Sequence, residues 1–158
     1  MALRYALMVE RIGAALDMPR AAARLVRRLR ALDRVYRAGL ADCERREIVT
    51  SHEAFAYLAD RYGLEQIAIS GLSPEAEPTP KDLERVVAAV RATGAAIVFF
   101  EPLVSPRVAE TVAREAGVKT AVLNPLEGLT ESEEERGADY FTLMRANLTV
   151  LREALSCR

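Results

Sequence analysis

Ile48-Val49-Thr50-Ser51-His52-Glu53-Ala54-Phe55-Ala56-Tyr57-Leu58 is the stretch whose reading decides the architecture. It opens on a β-branched run, turns polar over Ser51, His52 and Glu53, and continues as a helical pattern over 52–62 that Gly63 closes. The same unit then recurs along the chain. An apolar run at 66–70 leads through a proline-punctuated loop to Pro80 and a helix over 81–91, closed near Gly94. A fully apolar run at 96–100 precedes Ser105-Pro106 and a helix that ends at Gly117, and 120–123 supplies a fourth strand. A linker through Gly128 and the acidic run Glu131, Glu133, Glu134 and Glu135 leads to a last helix over 138–155. Short apolar strands alternating with helices predict an α/β fold, a four-stranded parallel sheet flanked by helices on both faces.

Working outward toward the N-terminus, the periodicity becomes purely helical. Leu3, Leu7, Met8, Ile12 and Leu16 recur at helical spacing, and Asp17-Met18-Pro19 breaks the pattern. A long helix over 21–40 follows, with Leu25, Leu29, Leu32 and Tyr36 on one stripe and a high content of the good helix formers Ala and Arg. A long connecting helix therefore precedes the sheet.

The composition narrows the function classes. The chain has 158 residues, 51% hydrophobic and 28% charged, which suits one domain with an ordinary core. Its net charge of −1 argues against a nucleic-acid binder, which concentrates Lys and Arg. The arginines at 20, 24, 27, 28, 30, 34 and 37 read as the solvated surface of a helix. No window holds the ~18 uninterrupted apolar residues of a membrane span, and residues 1–10 lack the tripartite pattern of a secretory signal. Cys43 and Cys157 are open to two readings, a pair joined across the chain or two small apolar residues.

In an open parallel sheet ligands bind outside the carboxyl ends of the strands, near the point where strand order reverses. Every strand here delivers a polar residue to that edge. The first ends in Thr50-Ser51-His52-Glu53, the second leads toward Glu75 and Glu77, the third ends in Glu101-Pro102 and the fourth in Asn124-Pro125. His52 is the one histidine of the chain, and imidazole is a common ligand of divalent transition metals. Its competing reading is structural: Ser51 caps the following helix and His52 occupies the first turn. Glu101 reads as a carboxylate that orients His52. Asn124 offers a carbonyl oxygen but no charge, a weaker donor than a carboxylate. No glycine-rich phosphate loop, G-x-S-x-G, H-E-x-x-H or paired Cys-x-x-Cys occurs, so an enzyme is not expected.

The segment 48–58 together with Arg61-Tyr62-Gly63-Leu64 resembles the third-ligand segment of the cluster A-I metal-binding proteins, the zinc and manganese solute-binding subunits of ABC importers. The resemblance continues through Glu77-Pro78-Thr79-Pro80-Lys81-Asp82-Leu83, Phe100-Glu101-Pro102, Leu123-Asn124-Pro125-Leu126, and Tyr140 with Leu143-Met144-Arg145-Ala146-Asn147-Leu148. It implies a metal site between two α/β lobes joined by a long rigid helix. On that pattern residues 1–18 are the end of the N-terminal portion, 19–42 the interlobe helix and 43–158 the C-terminal lobe. The family's third ligand falls on His52 and its fourth, usually Asp, on Asn124, where this chain departs from the pattern. Glu101 and Ser51 would orient the histidine. The remaining ligands belong to the other lobe. The resemblance therefore implies zinc in preference to manganese, bound weakly by this lobe alone. It also implies a periplasmic or extracytoplasmic location, an ABC permease as partner, and an exposed long helix suited to the missing lobe or to a homodimer. Two other readings compete: a flavodoxin-like domain holding a phosphate or nucleotide at Thr50, Ser51 and the following helix N-terminus, and an acid–base enzyme using His52 and Glu101.

Overall fold

A computed structural model describes residues 2–71 and 78–158, with side chains described from Ala6 onward. Glu75 and Glu77, proposed from sequence as loop carboxylates, lie outside the described residues. Four strands of four residues form the sheet: β1 (Glu47–Thr50), β2 (Glu65–Ala68), β3 (Ile97–Phe100) and β4 (Lys119–Val122). All pairings are parallel, in the order β2-β1-β3-β4. The chain thus builds outward from β1 to β2, then crosses back and builds the other way from β3 to β4. The reversal falls between β1 and β3, and this locates the crevice in which such sheets bind ligands.

The strands are buried on both faces, which is why they read as continuous apolar runs. Ile48, Ile97, Phe99 and Leu123 pack on one side. There they meet α2 (Pro19–Gly39), α3 (Ala56–Tyr62) and α7 (Tyr140–Leu155) through Leu32, Leu58 and Leu151. Val49 and Val98 point the other way, to Val86 and Val90 of α4 (Pro80–Thr93) and Val112 of α5 (Arg107–Ala116). Alternate residues of one strand thus serve two cores, the period-two geometry of a β-strand.

Helix boundaries follow local chemistry. Thr79 and Asp82 close a capping box ahead of α4, with Pro80 in its first turn and Gly94 at φ 66° beyond its end. Asp139 and Thr142 do the same for α7. The acidic run, read from sequence as linker, forms the one-turn helix α6 (Glu131–Glu135), because Thr130 and Glu133 make a third capping box. The largest difference concerns residues 52–55. The sequence reading starts the helix at His52, but α3 begins at Ala56 with Phe55 at its cap position and no side-chain cap. Ser51 is therefore not a helix cap, and His52 sits in a bend before the helix.

At the N-terminus α1 (Ala2–Ala15) folds back on α2. Gly13 permits the contact, since a Cβ there would lie 2.3 Å from that of Ala22. The apolar stripe of α1 faces outward. Leu7, Met8, Ile12 and Leu16 are exposed, and on α2 so are Leu25 and Val35. Cys43 and Cys157 are joined as a disulfide, so the pairing left open by the sequence is settled. No helix among the described residues is long and apolar enough to cross a membrane.

Candidate metal centre

His52 and Glu101 leave the sheet from β1 and β3, the two strands that flank the reversal of strand order. Both are buried, at 3% and 2% exposure. The His52 imidazole Nδ1 lies against the Glu101 carboxylate Oε1, and Ser51 Oγ donates a 3.0 Å hydrogen bond to the same oxygen. Sequence reasoning placed these three residues on one edge, and the structure joins them into one cluster. The role of Ser51 is different from capping: it holds the carboxylate that holds the ring.

The arrangement dictates the tautomer. A carboxylate can only accept, so the proton facing it sits on Nδ1, and the lone pair of the neutral ring is on Nε2. No described residue hydrogen-bonds Nε2. A buried histidine whose inner nitrogen is fixed by a carboxylate and whose outer nitrogen has no protein partner has the outer-shell geometry of metal-binding histidines. Burial pushes the Glu101 carboxyl above the usual range, and the nearby charge of Glu127 adds to the rise. The opposing pull of His52 and Ser51 does not cancel it.

That effect points to a residue the sequence reading missed. Glu127 is exposed, in the loop after β4, and has no hydrogen bond or ion pair among the described residues. Its position three residues beyond Asn124, in a loop leaving the same sheet edge, was the signal available.

Asn124 has other work. Its Oδ1 accepts from the Leu126 amide at 2.8 Å, and its Nδ2 donates to Glu133 Oε1 at 3.2 Å. Its backbone is bound by Asn147 of α7, whose Oδ1 accepts from the Asn124 amide at 2.9 Å while its Nδ2 donates to the Asn124 carbonyl at 2.7 Å. Every polar group of Asn124 is thus occupied in shaping the loop. Among the described residues no three His, Cys, Asp or Glu side chains converge on a point that could hold a metal ion. The donor chemistry fits zinc, but this chain offers part of a coordination shell that normally numbers about four.

The same geometry weakens the phosphate reading. The Ser51 hydroxyl is committed to Glu101 and the Thr50 hydroxyl to the His52 carbonyl, at 2.8 Å. The helix that would supply the anion site begins four residues beyond His52 and spans only two turns.

The zinc-binding protein AdcA of Streptococcus pyogenes serotype M1 is 49% identical over 131 residues, covering 83% of this chain and 25% of that protein. The high-affinity zinc uptake system protein ZnuA of Bacillus subtilis is 40% identical over 130 residues, covering 82% and 41%. This chain therefore spans between a quarter and two fifths of these relatives. Among solved structures, the Zn(II)-bound ZnuA-like domain of Streptococcus pneumoniae AdcA aligns with a TM-score of 0.75 and 40% identity, over 93% of this chain and 57% of that one. The laminin-binding protein Lbp of Streptococcus pyogenes aligns with a TM-score of 0.81 and 32% identity, over 95% and 58%. The family model for the periplasmic zinc-uptake complex component A, ZnuA, matches residues 14–154, and the chain belongs to that family.

Proposed function

We propose that this chain is the metal-binding C-terminal lobe of an extracytoplasmic solute-binding protein that captures zinc, in preference to manganese, and delivers it to an ABC importer. Zinc is cargo here and no reaction is performed on it. The observation that carries the reading is the buried His52, held through Nδ1 by Glu101 and without a partner on Nε2 among the described residues. Imidazole favours zinc, whereas manganese suits carboxylate and carbonyl oxygen. We assign His52 Nε2 as the nitrogen donor, Glu101 and Ser51 as the groups that orient it, and Glu127 as the exposed carboxylate that complements it. Asn124 shapes the loop carrying Glu127.

The interlobe reading of 19–42 is supported by the surface. Leu7, Met8, Ile12, Leu16 and Leu25 expose apolar side chains along α1 and α2, and this face suits the second lobe that completes the site. A homodimer through the same face is the competing occupant. The Cys43–Cys157 disulfide suits an oxidising compartment outside the cytoplasm, and a permease of a metal importer is the partner such a protein serves.

Calorimetric titration with Zn²⁺ tests the assignment. His52→Ala is expected to abolish saturable binding by this chain and Glu127→Gln to weaken it about tenfold, while Asn124→Ala leaves it within about threefold. Binding that survives His52→Ala overturns the reading.

A further inference from the structure

Three donors converge on one backbone oxygen at the head of this site. The His52 carbonyl accepts from Thr50 Oγ1 at 2.8 Å, from Gln66 Nε2 at 2.8 Å and from the Ala54 amide at 3.0 Å. A carbonyl has two lone pairs, so this oxygen is saturated. The second N–H of the Gln66 amide donates to Thr50 Oγ1 at 2.7 Å, which leaves that hydroxyl both accepting and donating. The orientation of the amide follows from the network, because the His52 oxygen can only accept and the nitrogen must face it.

The two side chains come from different strands. Thr50 ends β1 and is 1% exposed. Gln66 is half-buried on the edge strand β2, in register with Ile48, so its side chain reaches along the sheet to Thr50, two positions on, and to the His52 carbonyl, four positions on. The Ala54 amide alone would satisfy the carbonyl of a tight turn. Two further side chains fix the backbone of His52 from below, while Ser51 and Glu101 fix its ring from the side. Neither Thr50 nor Gln66 is a ligand type for zinc, and neither is explained by packing of the core.

We propose that Thr50 and Gln66 are positioning residues for His52: they clamp its carbonyl so that Nε2 is already aimed before metal arrives. This rests on the reading of His52 as the nitrogen donor. Preorganisation of this kind stabilises the bound state because less freedom remains to be lost on binding.

The test uses the 158-residue chain, in which a single histidine makes the imidazole resonances unambiguous. Zn²⁺ titrations of the parent, Thr50→Val, Thr50→Ser, Gln66→Leu and His52→Ala are followed by those resonances where His52 is present and by calorimetry throughout, with metal-free thermal melts alongside. Thr50→Val and Gln66→Leu are expected to weaken zinc about 10–100-fold and to broaden or double the metal-free imidazole signals. Thr50→Ser, which keeps the hydroxyl, is expected to stay within about threefold of the parent. If His52→Ala abolishes binding but Thr50→Val and Gln66→Leu bind as the parent does, the clamp is refuted and the donor assignment stands. Lowered melting temperatures with unchanged affinity and unchanged imidazole signals refute it equally, since the network would then be structural alone. If His52→Ala still binds zinc, the donor assignment fails and the clamp with it. Should Thr50→Val not fold, Gln66→Leu, at a half-buried edge position, carries the test.

Discussion

Two buried polar clusters sit on the same side of the sequence from α2 to β3, and they are built to opposite ends. Around Asp33 of α2 every acceptor is used. Oδ1 accepts from Arg61 Nε and Nη2, both at 3.0 Å, and from the Tyr62 hydroxyl at 3.2 Å. Oδ2 accepts from Arg37 Nε at 3.1 Å and again from Arg61 Nη2 at 3.0 Å. The cluster is closed, and it ties the C-terminal turn of α3 to the long helix. Around His52 the accounting stops one atom short: the carbonyl is saturated and Nδ1 is held, yet Nε2 has no partner among the described residues. Buried polar groups in native proteins are nearly always satisfied. A closed cluster therefore stabilises a fold, whereas a cluster whose outer ring nitrogen makes no hydrogen bond to the described residues leaves that nitrogen available to something from outside.

The comparison predicts a clean separation of effects. Removing the carboxylate of the closed cluster leaves Arg61 and the Tyr62 hydroxyl without their acceptor. Asp33→Ala is expected to destabilise the chain by about 2–4 kcal/mol in urea unfolding, and to leave zinc affinity unchanged at a temperature where the variant is folded. A loss of zinc affinity comparable to that of His52→Ala would erase the distinction between the clusters. Comparable in size is the disulfide. Cys43→Ser with Cys157→Ser opens a link across 114 residues of sequence and is expected to cost about 2–4 kcal/mol. The imidazole resonances of His52 should not move, because Cys43 precedes the N-terminal end of β1 while His52 follows its C-terminal end, at the opposite edge of the sheet.

The smallest effect sharpens the closed cluster through pH. Burial pushes the Asp33 carboxyl up, but hydrogen bonds and charge from Arg37 and Arg61 outweigh it and hold the group below the usual carboxylate range. A depressed folded value contributes stability that is fully present above the unfolded pKa of about 3.9 and is lost as pH falls through the folded value. The stability difference between the parent and Asp33→Asn should therefore be largest near neutrality and shrink in acid. A difference that grows in acid would show that Asp33 is not held ionised by its arginines.

The fold was largely legible because the sheet obeys simple rules. Ile48-Val49 and Ile97-Val98-Phe99 are apolar without alternation since both faces are covered, and that pattern identified parallel strands directly. Gly63, Gly94 and Gly117 marked helix ends with left-handed residues. Local sequence could not show that residues 52–55 bend before the helix starts, because the bend is held by Gln66 and by the Glu53 amide donating to Gly71, both distant in sequence. For the same reason Ser51 read as a cap when its partner is Glu101, fifty positions away. The outward apolar stripe of α1 was legible as a stripe, but periodicity reports a face and not what covers it. Asn124 drew attention by its place at a strand end, and only the structure reveals that Asn147 and Glu133 engage it and that Glu127 carries the neighbouring charge.

Metal capture by this lobe turns on one atom, Nε2 of His52, and one spectrum reads it. Long-range ¹H–¹⁵N correlation of the single imidazole in this chain should show a proton on Nδ1, facing Glu101, before metal is added. Zinc should then shift the Nε2 resonance strongly and leave the Nδ1 proton in place. Loss of the Nδ1 proton on zinc addition, or an imidazole that does not respond to zinc at all, would contradict the claim that His52 presents Nε2 as the metal donor.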